Sequence, residues 1–373
     1  MKTAKTKTSA SRTTAPQRLL DDSRRLTTGA FGAFAESVVQ FANQCRQVVA
    51  DTKRLKLPSA YRQVDNVVIN GMGGSGLGTD VLLSAFAAHL RCPVVLTHDY
   101  IVPNFVGPRT LYLACSYSGN TEEVLVALWD AFGRRAKIAA MSAGGRLAQT
   151  ARRLKLPAYI YATPHNPSGQ PRLGLGYSML GVWALLGKAG VLPCTERLVG
   201  QFLAATESAS RRFSPTVRTQ RNPAKRTALG LHGRLPLIIS GNPLSGAAHT
   251  FANQCHESAK HLTAHFTLPE LNHHLLEGLK HPAAARTLAA VLIESPNDLP
   301  AIRRRIAVTA QVFARHRIPV LRYRTARGPW IAQAGEALQL GVYTSWYLAA
   351  LNGVNPQAIP WVDFFKRTLA ARR

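Results

Sequence analysis

The chain has 373 residues, 46% of them hydrophobic, so it is long enough for two domains with separate cores. It carries 46 Lys and Arg residues against 19 Asp and Glu residues, and the resulting formal net charge of +27 attracts anions. No apolar run reaches the roughly 18 residues of a membrane-spanning helix, so no membrane insertion is predicted. The five cysteines are an odd number without paired spacing. They predict reduced thiols in the cytoplasm rather than a disulfide framework.

The N-terminal segment 1–25 is basic and rich in Ser and Thr, and it lacks the apolar core of a secretory signal. We expect a disordered tail there, with organelle targeting as an alternative. Elsewhere the positive charge is scattered, since only 152–155 and 303–305 form short clusters and no zinc-finger or RRM signature accompanies them. Anionic small substrates or a generally basic composition explain the charge without a nucleic-acid partner, which the sequence does not favour.

Apolar runs alternate with helical patterns between residues 66 and 161. Strands are predicted at 66–70, 92–98, 110–116, 137–142 and 157–161, with helices at 75–90 and 121–136. Continuous apolar strands between amphipathic helices indicate a parallel sheet that is covered on both faces. This region is therefore predicted to be a doubly wound α/β domain.

The alternation restarts after a helical stretch that ends in a basic loop at 211–226. Strands are predicted at 235–241, 288–295 and 318–324, with helices at 245–261, 299–316, 330–352 and 359–371. The predicted fold class is α/β, with two doubly wound parallel-sheet domains in tandem. The predicted organisation is the tail 1–25, a first domain at 26–190, a helical and basic linker at 191–229 and a second domain at 230–373.

A short sequence motif that occurs twice suggests that the two halves of the chain are related. Gly71 to Gly76 and Gly241 to Gly246 both read G-x-x-x-S-G, and each follows the first predicted strand of its domain. A match of this length can arise by chance. Its recurrence at equivalent strand-to-helix turns suggests an internal duplication.

Ligands of an open parallel sheet bind beyond the carboxyl ends of its strands. Three turns rich in Gly or Ser fall at that edge of the first domain, at 71–76, 116–123 and 142–146. Hydroxyls and backbone N–H groups at a helix N-terminus form a cradle that suits phosphate. Each turn alone is also explained by tight backbone geometry, but three on one sheet edge favour a ligand.

The residues of the first turn limit which class of phosphate-containing ligand is expected to bind. Gly71, Gly73 and Gly76 match G-x-G-x-x-G, but no acidic residue stands about 20 residues later where a dinucleotide ribose site needs one. The lysine of a P-loop is also absent from this turn. The pattern therefore predicts a monophosphate carried on a small molecule.

Several motifs together resemble one family. They are "GMGGSGLGTD" (71–80), "VPNFVGP" (102–108), "SYSGNTEE" (116–123), "SAGGRLAQ" (142–149), "QPRLGLGYS" (170–178), "NQCHESAKH" (253–261), "LPELNHH" (268–274) and the tail "NPQAIPWVDFFKRTLA". In order and spacing the chain from about residue 60 onward is similar to the bifunctional phosphoglucose/phosphomannose isomerases, a family of sugar isomerase (SIS) fold. The N-terminal tail and the loop 211–226 lie outside the resemblance. It implies flavodoxin-like, SIS-type domains and sugar phosphates as ligands.

The resemblance also implies roles for individual residues. Those implied to hold the substrate phosphate are Gly74, Ser75, Ser116, Ser118 and Thr121. Glu257 is implied to be the base that moves a proton between C1 and C2, and Arg172 to stabilise the enediolate. His273 would help to open the sugar ring from across a homodimer interface, assisted by Lys366. Isomerisation does need a carboxylate at C2 and a fixed cation. From the residues alone, however, Glu257, Arg172 and Lys366 are equally well explained as surface charges.

The chain departs from the family pattern at two histidines. His256 precedes the glutamate where the family more often has Asn, and His274 follows His273 where many members have Asn. The second departure leaves open which of the two adjacent histidines acts on the ring.

Two further alternatives stay open at this point. Glu257, His261 and His265 are spaced i, i+4, i+8 and would offer three zinc ligands if the helix continued that far, whereas the resemblance implies no metal and no cofactor. The alternative functions are another SIS-type isomerase, acting on amino sugars or pentose phosphates, and a sugar-phosphate-binding regulator without turnover.

Overall fold

A computed structural model describes residues 14–371 of the chain. It opens with four helices: α1 (Ala15–Asp21), α2 (Ser23–Thr27), α3 (Gly32–Val39) and α4 (Phe41–Thr52). The prediction of disorder is therefore wrong for residues 15–25, and residues 1–13 lie outside the described part. Leu20 and Leu26 are fully buried, and Asp21 pairs with the buried Lys225. Two apolar anchors thus fold a segment whose overall composition is typical of disorder.

The first domain contains the predicted parallel sheet. Its strands are β1 (Asn66–Asn70), β2 (Val94–Thr97), β3 (Thr110–Ser116), β4 (Lys137–Ser142) and β5 (Ala158–Ile160). They pair in parallel in the order β2-β1-β3-β4-β5. The helices that follow the strands are α5 (Gly74–Ala85), α6 (Glu122–Gly133), α7 (Gly145–Arg153) and α8 (Leu175–Lys188). Two clusters of buried apolar side chains lie on the two faces of this sheet, as a doubly wound fold requires.

The second domain repeats this topology with one strand fewer. Two helices precede its first strand, α9 (Glu196–Phe213) and α10 (Pro223–Leu231). The elements that follow, in chain order, are β6 (Leu235–Gly241), α11 (Ser245–Ala259), β7 (Ala264–Leu268), α12 (Leu275–Gly278), β8 (Leu288–Glu294), α13 (Pro300–Arg315), β9 (Val320–Arg324), α14 (Trp330–Leu351) and α15 (Pro360–Ala370). The strands are parallel in the order β7-β6-β8-β9. The prediction of tandem parallel-sheet domains is confirmed.

Helix α14 lies at the centre of the molecule, because every residue from Ile331 to Ala350 is buried. It packs against α9, α10 and α11. The region 211–226 is consequently not one long loop, since its two ends belong to α9 and α10. The helices of this predicted linker are part of the core.

The two G-x-x-x-S-G turns lie at equivalent places, between β1 and α5 and between β6 and α11. Helices α5 and α11 pack directly against each other. At Gly246 a Cβ atom would stand 2.4 Å from the backbone of Asp80, so the approach requires glycine. Within residues 14–371, no helix is long and apolar enough to cross a bilayer.

Candidate active site

A cleft of about 630 Å³ lies at the carboxyl edge of the first sheet. Its walls come from both domains: the turn after β1, the turn after β3, the segment 170–172, Glu257 at the end of α11, and one face of α15. The topology explains this position, since β1 and β3 are neighbours whose following turns open toward the same edge. The ligand edge predicted from the sequence is thus a real concavity.

The turn between β1 and α5 is shaped by close backbone approaches. Gly73 takes a φ of +48°, and a Cβ atom at Gly74 would lie 2.8 Å from the backbone of Pro171. Ser75 is buried, and its Oγ accepts a hydrogen bond of 2.9 Å from the backbone N–H of Tyr117. Ser75 therefore joins the first turn to the second while it lines the cleft.

The turn between β3 and α6 brings three hydroxyl groups to a helix N-terminus. The Oγ of Ser116 lies 2.7 Å from the Oγ1 of Thr121 and accepts from the N–H of Gly119 at 3.0 Å. Ser118 is exposed, and its Oγ accepts from the N–H of Asn120. Ser118 and Thr121 line the cleft, whereas Ser116 lies buried beneath it. The arrangement suits an anion, because the N-terminus of a 12-residue helix carries partial positive charge.

The third predicted turn, 142–146, does not line the cleft. It supports the second turn instead: the N–H of Arg146 donates to Asn120 Oδ1 at 3.1 Å, and the N–H of Leu147 donates to the carbonyl of Gly119 at 2.8 Å. Its expected share in binding phosphate is therefore wrong as a direct contact. Glycine-rich turns look alike in sequence whether they face a ligand or another loop.

Arg172 is the most constrained side chain of the site, with 1% of its side chain exposed. All five of its N–H groups donate hydrogen bonds. The acceptors are Ser258 Oγ, Gln170 Oε1, Glu257 Oε2 and the carbonyls of Pro356 and Gln357, at 2.8–3.2 Å. Burial lowers the pKa of Arg172, and the charge of Glu257 partly offsets that effect. These bonds hold the guanidinium in a fixed position, and its implied role at the enediolate stays a prediction.

Glu257 lies in the last turn of α11 with a third of its side chain exposed to the cleft. Its Oε2 accepts the hydrogen bond from Arg172 Nη1 at 3.2 Å. The next cation along the chain is Lys260, whose Nζ donates to the carbonyl of Glu257 at 2.9 Å. A partly exposed carboxylate that lines a cleft beside a fixed cation is placed to exchange a proton with a bound molecule.

Helix α15 forms the far wall of the cleft. Ile359, Val362, Phe365, Lys366 and Leu369 line it, and this spacing places the last four on one helix face. No residue of α15 is buried. Lys366 thus lies at the cleft as predicted, on an exposed helix.

Besides the buried Ser116, His273 is a predicted site residue that does not line this chain's own cleft. It lies exposed on the short 3₁₀ turn Glu270–His273 after β7, and neither it nor His274 is among the residues that line the cleft. A histidine here can reach such a cleft only from another copy of the chain or after a rearrangement.

The residues of the alternative zinc site do not share a helix face. Helix α11 ends at Ala259, the Nε2 of His261 is hydrogen-bonded to the carbonyl of Arg234, and His265 lies on β7 stacked on His249. Across residues 14–371 there is no group of three His, Cys, Asp or Glu side chains with the geometry to hold a metal ion.

Sequence reasoning did not identify two polar side chains of the site. Gln170 accepts from Arg172, and Lys260 bonds to the carbonyl of Glu257. Their only signal was adjacency, since Gln170 stands in the "QPR" motif and Lys260 three residues after the glutamate. Adjacency in sequence does not show which atoms a side chain reaches.

Comparison with known proteins agrees with this geometry. The model of the bacterial phospho-glucose isomerase C-terminal SIS domain matches residues 220–369. A bifunctional phosphoglucose/phosphomannose isomerase of Caldicellulosiruptor bescii is 30% identical over 90% of this chain and 98% of its own length. The chain belongs to the bifunctional phosphoglucose/phosphomannose isomerase family. A second member, from Aquifex aeolicus, is 26% identical over 81% of this chain and 90% of its own length.

Solved structures confirm the fold of this family member. A hypothetical protein of Thermus thermophilus superposes with a TM-score of 0.74 at 17% identity, covering 95% of this chain and 94% of its own. A glucose-6-phosphate isomerase of Chlamydia trachomatis superposes with a TM-score of 0.66 at 13% identity, covering 90% and 77%. The tandem SIS architecture is shared although the sequences have diverged widely.

Proposed function

We propose that this chain is an aldose–ketose isomerase that interconverts glucose 6-phosphate, and mannose 6-phosphate, with fructose 6-phosphate through an enediolate. The observation that carries the proposal is one cleft in which the hydroxyl-rich turns face the Arg172–Glu257 pair. A phosphate at the N-terminus of α6 would leave the carbon chain of a hexose extending toward Glu257. Family membership supports the same reaction.

The proposed chemistry is a proton transfer between neighbouring carbons. The carboxylate of Glu257 takes the proton from C2 of the open-chain aldose, and the electron pair of that C–H bond forms the C1–C2 double bond of the enediolate. As that double bond forms, the π pair of the C1 carbonyl moves onto O1. The same carboxyl group then returns the proton to C1, and a proton passes from the hydroxyl on C2 to O1, which gives the ketose. Glucose 6-phosphate and mannose 6-phosphate differ only at C2 and share this enediolate, so one base can serve both.

Arg172 stabilises the negative charge that develops on the enediolate oxygens. Because its five N–H groups are already used, a substrate oxygen has to replace one of the present acceptors. The exposed carboxylate of Glu257 is the acceptor that can leave most easily. Substrate binding would thereby separate the ion pair and free the base for C2.

The oligomeric state and the cellular role of the enzyme are also part of the proposal. We infer a homodimer in which His273 of one copy helps to open the sugar ring at the cleft of the other, with Lys366 assisting. Its exposed position away from its own cleft supports this. We also infer a cytoplasmic enzyme of glycolysis and gluconeogenesis that acts on small sugar phosphates, needs no cofactor and has no nucleic-acid partner.

The test is a coupled assay that starts from fructose 6-phosphate and measures both aldose products, with and without EDTA. We expect both products, at rates that the chelator does not change. Tight binding of fructose 6-phosphate without any aldose would instead identify a sugar-phosphate-binding regulator. Product formation that EDTA abolishes would contradict the metal-free mechanism.

A further inference from the structure

The segment 352–359, which joins α14 to α15, is held at three consecutive carbonyl groups by the two cations of the site. The carbonyl of Asn355 accepts from Lys260 Nζ at 2.6 Å. The carbonyls of Pro356 and Gln357 accept from Arg172 Nη2 at 2.8 and 3.0 Å. The position of α15 at the cleft therefore depends on side chains outside α15.

Lys260 also bonds to the helix that carries the proposed base. It follows α11 directly with a φ of +50°, a left-handed conformation that turns its side chain back over the last helical turn. Its Nζ donates to the carbonyls of Glu257 at 2.9 Å and Ser258 at 3.4 Å, both of which lack partners inside the helix. One ammonium group thus links the backbone of Glu257 to the segment that leads to α15.

This link matters because α15 has few other attachments. None of its residues is buried, yet Lys366 and five apolar side chains from α15 and the residue before it line the cleft. We propose that Lys260 is a positioning residue, which sets the distance between Glu257 and helix α15 by bonding to the carbonyls of Glu257, Ser258 and Asn355. The role in catalysis rests on the proposed function, whereas the link itself is a property of the fold.

The charge of the ammonium group determines how many carbonyls it can hold. Partial burial, together with the nearby charge of Arg172, lowers the pKa of Lys260 to about 8, although the charge of Glu257 opposes this. Those two are the charged groups that act on it from the packed elements, and the Asn355 side of the contact is a neutral carbonyl. An ammonium has three N–H donors and a neutral amine has two. The link should therefore weaken as the pH rises through about 8.

Three variants test the role. Lys260→Met removes the donors, Lys260→Arg keeps a charge that does not titrate in this range, and Lys155→Met is the matched control. Lys155 also takes a left-handed conformation, with a φ of +51°, just beyond a helix, and it lies exposed and away from the cleft. The measurements are kcat and KM at pH values on both sides of 8, and hydrogen exchange of the segment 352–370.

We expect Lys260→Met to lower kcat by roughly 10- to 100-fold through misplacement of catalytic groups, with a smaller change in KM. Hydrogen exchange in α15 should become faster in that variant and stay unchanged in Lys155→Met. The wild-type protein should lose kcat as the pH rises through about 8, and Lys260→Arg should recover most of the activity and lack this alkaline loss.

The proposal is overturned if Lys260→Met matches Lys155→Met in both kcat and exchange. It is also overturned if Lys260→Arg keeps the full alkaline loss of the wild-type protein. Should the wild-type protein show no isomerase activity, the proposed function fails, and the exchange rates alone still decide whether Lys260 holds α15. Thermal unfolding of each variant confirms that folded protein is compared.

Discussion

The two domains share a strand order but differ at their carboxyl edges. The turn after β3 carries hydroxyl groups, from Ser116, Ser118 and Thr121, whereas the corresponding turn after β8 carries the carboxyl groups of Glu294 and Asp298. In the first turn the N–H of Gly119 donates to the hydroxyl of Ser116. In the second, the N–H of Ser295 donates at 2.8 Å to the carboxylate of Asp298. The second turn thus uses a carboxylate as hydrogen-bond acceptor where the first uses a hydroxyl group.

The difference shows how two similar domains can divide one task. Carboxylates lie at both edges, since Glu122 and Glu123 in the first turn of α6 also line the cleft. What distinguishes the first edge is its hydroxyl groups, which can donate hydrogen bonds to a phosphate ester. The second domain contributes through the end of α11 instead, which places Glu257 in the wall of the cleft, with Lys260 bonded to its backbone carbonyl. In the proposed reaction the first domain binds the anion and the second supplies the base.

The largest expected effect comes from removing that base. We expect Glu257→Gln to lower kcat by roughly 1,000-fold or more, because the amide cannot take the proton from C2. Its oxygen can still accept from Arg172, so the cleft should keep its shape. The coupled assay from fructose 6-phosphate measures the loss, and calorimetric titration with the same sugar should show binding preserved.

A carboxyl group of the other edge is the control for that variant. Glu294→Gln removes a carboxylate that pairs with Arg322 at the end of β8, outside the cleft. Its kcat should equal that of the wild-type protein. If Glu294→Gln lost as much activity as Glu257→Gln, the two domains would not divide the work in this way.

The next effect concerns the edge that is proposed to hold the phosphate. Ser118→Ala should raise KM roughly tenfold with little change in kcat, because a hydrogen bond to a charged group contributes about 1.5–3 kcal/mol. Ser118 is exposed and makes one local bond, to Asn120, so the fold should not suffer. Steady-state kinetics with fructose 6-phosphate measures both constants.

Ser245→Ala is the matching change at the second edge. Ser245 occupies the serine position of the second G-x-x-x-S-G turn, and its Oγ donates to the carbonyl of Asn242. An unchanged KM in Ser245→Ala is expected. An equal rise in KM in both variants would mean that the phosphate group of the substrate does not bind specifically at the first edge.

Most strands and the edge at which the cleft lies could be predicted from the sequence, for identifiable reasons, whereas β7 (Ala264–Leu268) was not predicted. Strands such as 66–70, 110–116 and 235–241 are continuous apolar runs bounded by turns, and the structure has them at these bounds. The hydroxyls of the turn after β3 follow directly, because the end of a parallel strand determines the edge at which the next residues lie. Local sequence patterns are therefore enough to predict this part of the structure.

What the sequence could not show depends on contacts between distant segments. Arg172 reaches carbonyl groups 184 and 185 residues away, and Lys260 reaches one 95 residues away. The folding of α1 likewise depends on distant partners, since Asp21 bonds to Thr219 and Lys225. Composition alone describes such segments as tail or surface, because it holds no information about the partner.

The smallest effect tests whether the second edge stabilises negative charge at all. A site built for an anion lowers the pKa of a carboxyl group placed in it. Burial raises the pKa of Asp298 instead, and the neighbouring charge of Glu294 adds to this despite the bond from the N–H of Ser295 and the charges of Arg303 and Arg324. Between the ordinary pKa of an aspartate and this raised pKa, the native state binds more protons than the unfolded state. The contribution of Asp298 to stability is therefore lost as the pH rises through this range.

Asp298→Asn should remove that loss, because the amide does not ionise and its oxygen can still accept from the N–H of Ser295. Relative to the wild-type protein, the variant should gain stability as the pH rises through the range in which Asp298 ionises, with kcat unchanged. Urea unfolding at a series of pH values measures the gain. A variant clearly less stable than the wild-type protein at neutral pH would show that the second edge does stabilise a negative charge. Both edges would then stabilise an anion, and they would differ only in its identity: a substrate phosphate at the first edge and the carboxylate of Asp298 at the second.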